Sequence, residues 1–390
     1  MNTKNYYSSD FRLGIVGGGQ LGKMLLQETR RLDIGTSVLD PSPVAPCRIG
    51  SNKFTEGSLT DYDTVYAFGK DCDVITIEIE NVSVEALKQL ESEGKKVFPQ
   101  PDIIGLIQSK IRQKNFYKEN LIPTADFISF EKKEELLKAI ENKQVPFPFV
   151  WKQSTGGFDG RGVAMIRKSE DLNELPDVPC LAESLVPFEK ELAVVVARSE
   201  SGECKTFPTV EMDFHPEANL VEYVFSPGKV EAAISEKAQN LARVVAEKLN
   251  IVGILAVEMF LTKEGMILIN EVAPRVHNSG HLSIEGNISS QFEQHLRAIL
   301  DLPLGATDTI QPAVMVNLVG EEGHTGPVLY EGIEDILKLS GVYVHLYGKA
   351  ETRPFRKMGH VTIIDPDLEQ ARAKAREVKE KIKVISQWAQ

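Results

Sequence analysis

Glu258, in the run AVEMFL, and Glu271, in the run LINEVA, are the residues whose type and spacing first suggest chemistry. The segment TKEG between the two runs reads as a hairpin turn, so both carboxylates can come to one face at neighbouring positions. A single acid in an apolar strand usually points into water. Two hard oxygen ligands side by side instead suit magnesium (or manganese), which takes one or two carboxylates and fills its remaining positions with substrate phosphates and water. The pair therefore reads as a metal–nucleotide site.

Lys152 closes the run VPFPFVWK immediately before the loop TGGFDGRG, and Lys110 opens a charged helix upstream. Two ammonium groups could thus reach phosphates from one lobe while the glycine loop, rich in free backbone N–H groups, closes over them. The plainer reading is a surface hairpin with exposed lysines. Glu183 in CLAESLV and Glu191 in EKELAV are ordinary surface acids on that plainer reading. On the nucleotide reading, the stretch Glu183, Ser184, Leu185, Val186 is a hinge whose backbone meets adenine, and Glu191 takes the ribose hydroxyls.

Near the start, GIVGGGQLGKM places Gly17, Gly19 and Gly22 in G-x-G-x-x-G register between a strand and a helix, with Asp40 ending the next strand. Glycines let a phosphate approach the backbone and a helix N-terminus attracts anions. A dinucleotide site, a purely structural turn and a different phosphate-bearing ligand all fit this pattern. A P-loop does not, because Met24 stands where a Ser or Thr must hold magnesium. Towards the other end, Lys349, Arg353, Arg356 and Lys357 form the densest basic cluster, and such runs are usually solvated surface.

The elements that must position these groups follow from periodicity. RLGIVG, TSVLD and DVITIEI alternate with helical runs at Gln20–Leu32 and NVSVEALKQLESEG, which is the rhythm of an α/β unit with a parallel sheet. Helices are expected over Ser109–Asn120 and from Glu131 to about Asn142. From Cys180 to Phe225 the pattern is nearly all strand, followed by a long amphipathic helix over Glu231–Leu249 and the glutamate hairpin. Strands AVMVNLVG, VYVHLY and GHVTIID, a helix around Ile333–Leu339 and a charged helix from about Asp367 complete the chain.

The 390 residues include 56 acidic against 44 basic side chains, a formal charge of −12. This length predicts two to four domains with a real core. The negative balance argues against a nucleic-acid or anionic-membrane surface, since both need a broad basic face. No apolar run approaches a membrane span and the polar start lacks a signal-peptide core, so a cytoplasmic protein is expected. The four dispersed cysteines suggest reduced thiols rather than disulfides or a zinc site.

Taken together, GIVGGGQLGKM, KQSTGGFDGRG, AVEMF, INEVAPRVHNSGH and RPFRKMGH resemble the ATP-grasp superfamily and, within it, the N5-carboxyaminoimidazole ribonucleotide synthetase family of purine biosynthesis. The resemblance runs nearly end to end, with Phe158 departing from the tyrosine common in the family's loop. It implies an α/β and α+β chain with an ATP-grasp fold. An N-terminal Rossmann-like pre-ATP-grasp domain would span 1–108, a small ATP-grasp subdomain with the flap 109–185, a large subdomain with the metal site 186–310, and a small C-terminal domain 311–390. It implies a homodimeric, magnesium-dependent ligase that joins bicarbonate to 5-aminoimidazole ribonucleotide with ATP cleavage to ADP and phosphate, by way of carboxyphosphate. ATP would be held by Lys110, Lys152, Gly157, Phe158, Asp159, Gly160, Arg161, Gly162, the 183–186 hinge, Glu191, His215, Asn270 and Glu271, and the metal by Glu258 and Glu271. Arg275, His277 and Asn278 would hold bicarbonate and the carboxyphosphate. Gly19, Gln20, Lys349, Arg356 and Lys357 would bind the ribonucleotide.

Overall fold

The computed structural model describes residues 5–156, 162–215 and 220–387. The N-terminal sheet contains β1 (Leu13–Val16), β2 (Thr36–Asp40), β3 (Lys53–Glu56), β4 (Val74–Ile77) and β5 (Lys96–Val97), all parallel in the order β3-β2-β1-β4-β5. Both faces of β1 and β4 are buried, which is why they read as unbroken apolar runs. The expected helix after β1 spans Gln20–Arg31 and buries Leu21, Met24, Leu25 and Leu26.

A second sheet is antiparallel: β6 (Phe127–Phe130), β7 (Phe149–Gln153), β8 (Val163–Ile166) and β9 (Cys180–Ser184), ordered β6-β9-β7-β8. The helix Lys110–Glu119 precedes it, capped by Ser109. The next helix, Lys133–Glu141, begins two residues later than its sequence pattern suggests, because the Glu131 N–H donates to the Glu135 side chain and stays outside the first turn.

The largest sheet has nine strands. β10 (Phe188–Arg198), β11 (Cys204–Thr206), β12 (Val210–Phe214), β13 (Val221–Ser226), β14 (Gly253–Thr262) and β15 (Ile267–Ala273) are joined by β16 (Ala313–Val319), β18 (Val342–Leu346) and β20 (Lys357–Ile364). The order is β15-β14-β10-β12-β13-β16-β20-β18, with β11 also on β10. Strands on either side of position 310 therefore share one hydrogen-bonded sheet through the β13–β16 pair. The strands β17 (Gly326–Glu331), β19 (Glu351–Thr352) and β21 (Lys383–Ser386) form a small separate sheet.

Two buried contacts set the N-terminal sheet against the large one. The Thr76 hydroxyl on β4 meets His295 Nε2 at 2.9 Å, and the Ile254 N–H of β14 donates to His295 Nδ1 at 3.3 Å. Phe11, Leu13, Ile15, Leu25, Phe292 and Ile254 share one apolar core across this junction. The four cysteines are free thiols, three of them buried. Among the described residues no helix is long and apolar enough to cross a membrane.

Candidate active site

The hairpin β14–β15 places Glu258 directly opposite Glu271. Glu191 lies on the neighbouring β10, two residues from Ala193, which pairs with Glu258, so three carboxylates share one face of three adjacent strands. Burial, reinforced by the charges of Glu271 and Glu191, pushes Glu258 above the usual carboxylate range. Lys110, whose Nζ is 2.6 Å from Glu271 Oε2, holds Glu271 below it. Burial and then Glu271 push Glu191 up to about 7. Like charges this close push the two carboxyls apart in pKa. A divalent cation fits this donor set of two opposed hard oxygen ligands. Among the described residues no cluster of three or more His, Cys, Asp and Glu side chains could hold a metal by itself.

Behind the pair lies a buried ionic chain. Lys152 Nζ is 2.8 Å from Glu183 Oε2 and donates to Asn270 Oδ1 at 2.9 Å. Lys114 Nζ is 2.8 Å from Glu183 Oε1 and donates to the Thr124 hydroxyl, which in turn donates to the Ile269 carbonyl. Burial opposes the charge of Glu183, yet Lys152 and Lys114 outweigh it and hold the carboxyl below its usual range. Burial pushes Lys114 down to about 8. This chain ties the helix Lys110–Glu119, β7 and β9 to β15, and Lys110 and Lys152 both stand at the glutamate hairpin. Glu183 is buried, which disposes of the surface-acid alternative, whereas Ser184 and Leu185 are exposed beyond it. Gly162 closes the flap's base by accepting from the Gln153 N–H. Gly157, Phe158, Asp159, Gly160 and Arg161 lie outside the described residues.

The segment after β15 folds back beside the carboxylates. Arg275 Nε pairs with Glu80 at 2.9 Å, and His277 Nε2 is 3.5 Å from Glu258 Oε1. The His277 Nδ1 meets the Ser279 hydroxyl at 2.9 Å. Asn278 is buried, and among the described residues neither its Nδ2 nor its Oδ1 has a hydrogen-bond partner. An unsatisfied buried amide beside Arg275 and His277 is a fit for a small planar anion that both accepts and donates.

The N-terminal glycine loop meets a residue that the sequence pattern left unnoticed. Glu78, just past β4, accepts from the backbone N–H of Leu21 at 3.1 Å and from that of Gly19, and burial pushes it up to about 7. A Cβ at Gly17 or Gly19 would collide with its side chain. Asp40 accepts from the Gly18 and Ser42 N–H groups at 2.7 and 2.8 Å. The helix N-terminus thus already holds a carboxylate, and Asp40 is engaged with the loop, which removes the dinucleotide reading. Glu78 and Glu80 form the string EIE at the end of an apolar strand, the same signal that singled out Glu258 and Glu271.

At the C-terminal cluster, Lys349 Nζ donates to the Lys357 carbonyl at 2.7 Å and Arg356 Nη1 to the Glu351 carbonyl at 2.7 Å. The positive charge of Lys357 acts on Glu258 and favours its ionised form. Lys23, from the glycine-loop helix, donates to the Leu346 carbonyl at 2.8 Å and brings Gly19 and Gln20 towards it. His215 packs edge-on to Phe355, one residue before Arg356, with ring centroids 5.9 Å apart.

Comparison with known proteins covers the whole arrangement. Residues 11–108 match the ribonucleotide synthetase preATP-grasp domain, 115–292 the ATP-grasp domain, and 313–374 the phosphoribosylaminoimidazole carboxylase C-terminal domain. The chain is 37% identical over 357 residues to the N5-carboxyaminoimidazole ribonucleotide synthase of Bacillus subtilis (strain 168), covering 90% of this chain and 91% of that one. The crystal structure of N5-carboxyaminoimidazole ribonucleotide synthetase from Thermotoga maritima superposes with a TM-score of 0.89 at 42% identity, covering 97% of this chain and all of the other. The Aspergillus clavatus N5-carboxyaminoimidazole synthase, solved with ADP and 5-aminoimidazole ribonucleotide, superposes with a TM-score of 0.87 at 34% identity over 95% of this chain and 98% of that one. Several fungal phosphoribosylaminoimidazole carboxylases also match, and this chain spans between 63% and 67% of their length.

Proposed function

The chain belongs to the N5-carboxyaminoimidazole ribonucleotide synthase family, and from that membership we propose that it carboxylates the amine of 5-aminoimidazole ribonucleotide with bicarbonate, cleaving ATP to ADP and phosphate. The observation that carries this reading for this chain is convergence. Lys110 pairs with Glu271, Lys152 donates to Asn270 beside it, and His277 Nε2 lies 3.5 Å from Glu258.

In this reading the 183–186 backbone meets adenine, Glu191 the ribose, and Lys110 and Lys152 the phosphates under the glycine flap. His215 and Asn270 complete the nucleotide's surroundings. Magnesium or manganese, held by Glu258 and Glu271, would supply positive charge to the phosphate oxygens. Arg275, His277 and Asn278 hold bicarbonate so that one of its oxygens meets the γ-phosphorus in line. The products of that step are ADP and carboxyphosphate. The ribonucleotide's amine then takes the carboxyl group, from carboxyphosphate or from CO2 released by it, while phosphate and one amine proton leave. Arg356, Lys357 and Lys349, with Gly19 and Gln20 opposite, hold the sugar phosphate at attacking distance. Water must be excluded, because carboxyphosphate is destroyed by it.

The domain limits at 108, 185 and 310, action in the cytoplasm and assembly as a homodimer belong to the same reading and rest on the family. A coupled assay for ADP, with ribonucleotide and bicarbonate omitted in turn, tests the reaction. Release of ADP that requires both is the expected result, and equal release with glycinamide ribonucleotide and formate would overturn it. Sedimentation equilibrium tests the dimer.

A further inference from the structure

His281 and His360 close the two most distinctive strings of the sequence, RVHNSGH and RPFRKMGH, and neither has a part in the reaction as described. Both are almost wholly buried, at 1% and 0% exposure. Their rings pack with centroids 4.8 Å apart, and His360 stacks on His345 of the adjacent strand at 4.4 Å and 10°. The Tyr347 hydroxyl meets His360 Nδ1 at 3.1 Å. Burial pushes both imidazoles well below their ordinary range, so they pack without charge repulsion.

Each ring is tied to a substrate-side residue. Gln291, fully buried, accepts from the His277 N–H at 2.9 Å, donates to the His277 carbonyl at 2.7 Å and meets His281 Nδ1 at 3.0 Å. One side chain thus clamps the His277 backbone to the His281 ring. On the other side, β20 carries a register shift where Leu318 faces Gly359 but Val319 faces Lys357. Met358, Val361 and Ile363 lie in one apolar core despite their odd spacing, which is what an extra residue in a strand produces. Lys357 and His360 consequently share the opposite face. Gly359 is required there, since a Cβ would sit 2.7 Å from the His345 carbonyl oxygen.

We propose that the His281–His360 contact is the joint that fixes Lys357 relative to His277, which makes both histidines positioning residues for carboxyl transfer to the ribonucleotide. They touch no substrate. Through Gln291 and through the bulged strand, they set the distance between the bicarbonate-holding segment and the sugar-phosphate clamp. This inference rests on the function proposed above.

Steady-state kinetics of the full chain, following ADP and carboxylated product separately, tests it. For His281→Leu the expected result is a KM for the ribonucleotide raised about tenfold and less product per ADP, with KM for ATP within about twofold of wild type. His281→Asn, which restores an acceptor for Gln291, recovers most of the loss, and Tyr347→Phe shifts the same parameters more weakly. If His281→Leu does not fold, Tyr347→Phe decides by the same ratio of the two KM values. Parallel changes in both KM values, or none in either, would overturn the proposal. Wild-type protein that makes no carboxylated product overturns the proposed function instead.

Discussion

Lys110 Nζ and Glu271 Oε2 stand 2.6 Å apart, joining the first helix after position 109 to the metal-side hairpin. Burial works against the lysine's charge, but Glu271 outweighs it and holds the ammonium above its usual range. In the proposed function the cation directed at phosphate and the anion directed at the metal are therefore set in register by each other.

Lys110→Met removes the cation from that pair. A charge-assisted hydrogen bond contributes about 1.5–3 kcal/mol, so KM for ATP should rise roughly ten- to a hundredfold. Initial rates at varied ATP provide the check, and an unchanged KM would mean that Lys110 serves Glu271 alone.

Glu271→Ala should reduce ADP formation below about one hundredth of wild type, since metal charge stabilisation is worth several kcal/mol. The side chain is 43% exposed, so the fold should survive its loss. Circular dichroism melting alongside the ADP assay separates the two effects, and retained activity would sink the metal assignment.

Glu78 gives stability a pH dependence. Burial pushes its carboxyl from an ordinary 4.5 up to about 7. The folded state therefore holds a proton that the unfolded chain releases between these values. The contribution is fully present below the unfolded pKa and is lost as pH rises through about 7. Its size is on the order of 3 kcal/mol. Thermal melts from pH 5 to 8 should show wild type losing stability relative to Glu78→Gln as pH rises, and parallel curves would refute the assignment.

Lys114→Met removes one of the two ammonium groups that flank Glu183 and leaves the carboxylate to its pair with Lys152. Breaking a buried pair costs about 3 kcal/mol, to be read as a lower urea midpoint. A double variant with Glu183→Gln should lose less than the sum of the two single variants.

The glutamate hairpin was legible because two acids in apolar strands across a short turn repel each other unless a cation lies between them, and the register sets them directly opposite. Lys114 was not legible. Its helix reads as charged on all sides, yet Gln113, Lys114 and Tyr117 form its buried face, and no apolar period announces a face made of ion pairs. The bulge before His360 was equally hidden, since a register shift depends on the partner strand and not on β20 alone. The strand β21 was missed because four residues after a charged helix carry too little pattern; its pairing with β17 supplies the reason it exists.

The continuity of the large sheet across position 310 has a mechanical meaning. Glu258 and Glu271 at one end and Lys357 towards the other are rivets in a single plate, since parting them would tear the β13–β16 ladder. In the proposed function the sugar phosphate's anchor thus cannot drift from the metal-side carboxylates. The small plate of β6–β9 is pinned to the large one as well, through Lys152 and Asn270 and through Lys114, Thr124 and the Ile269 carbonyl.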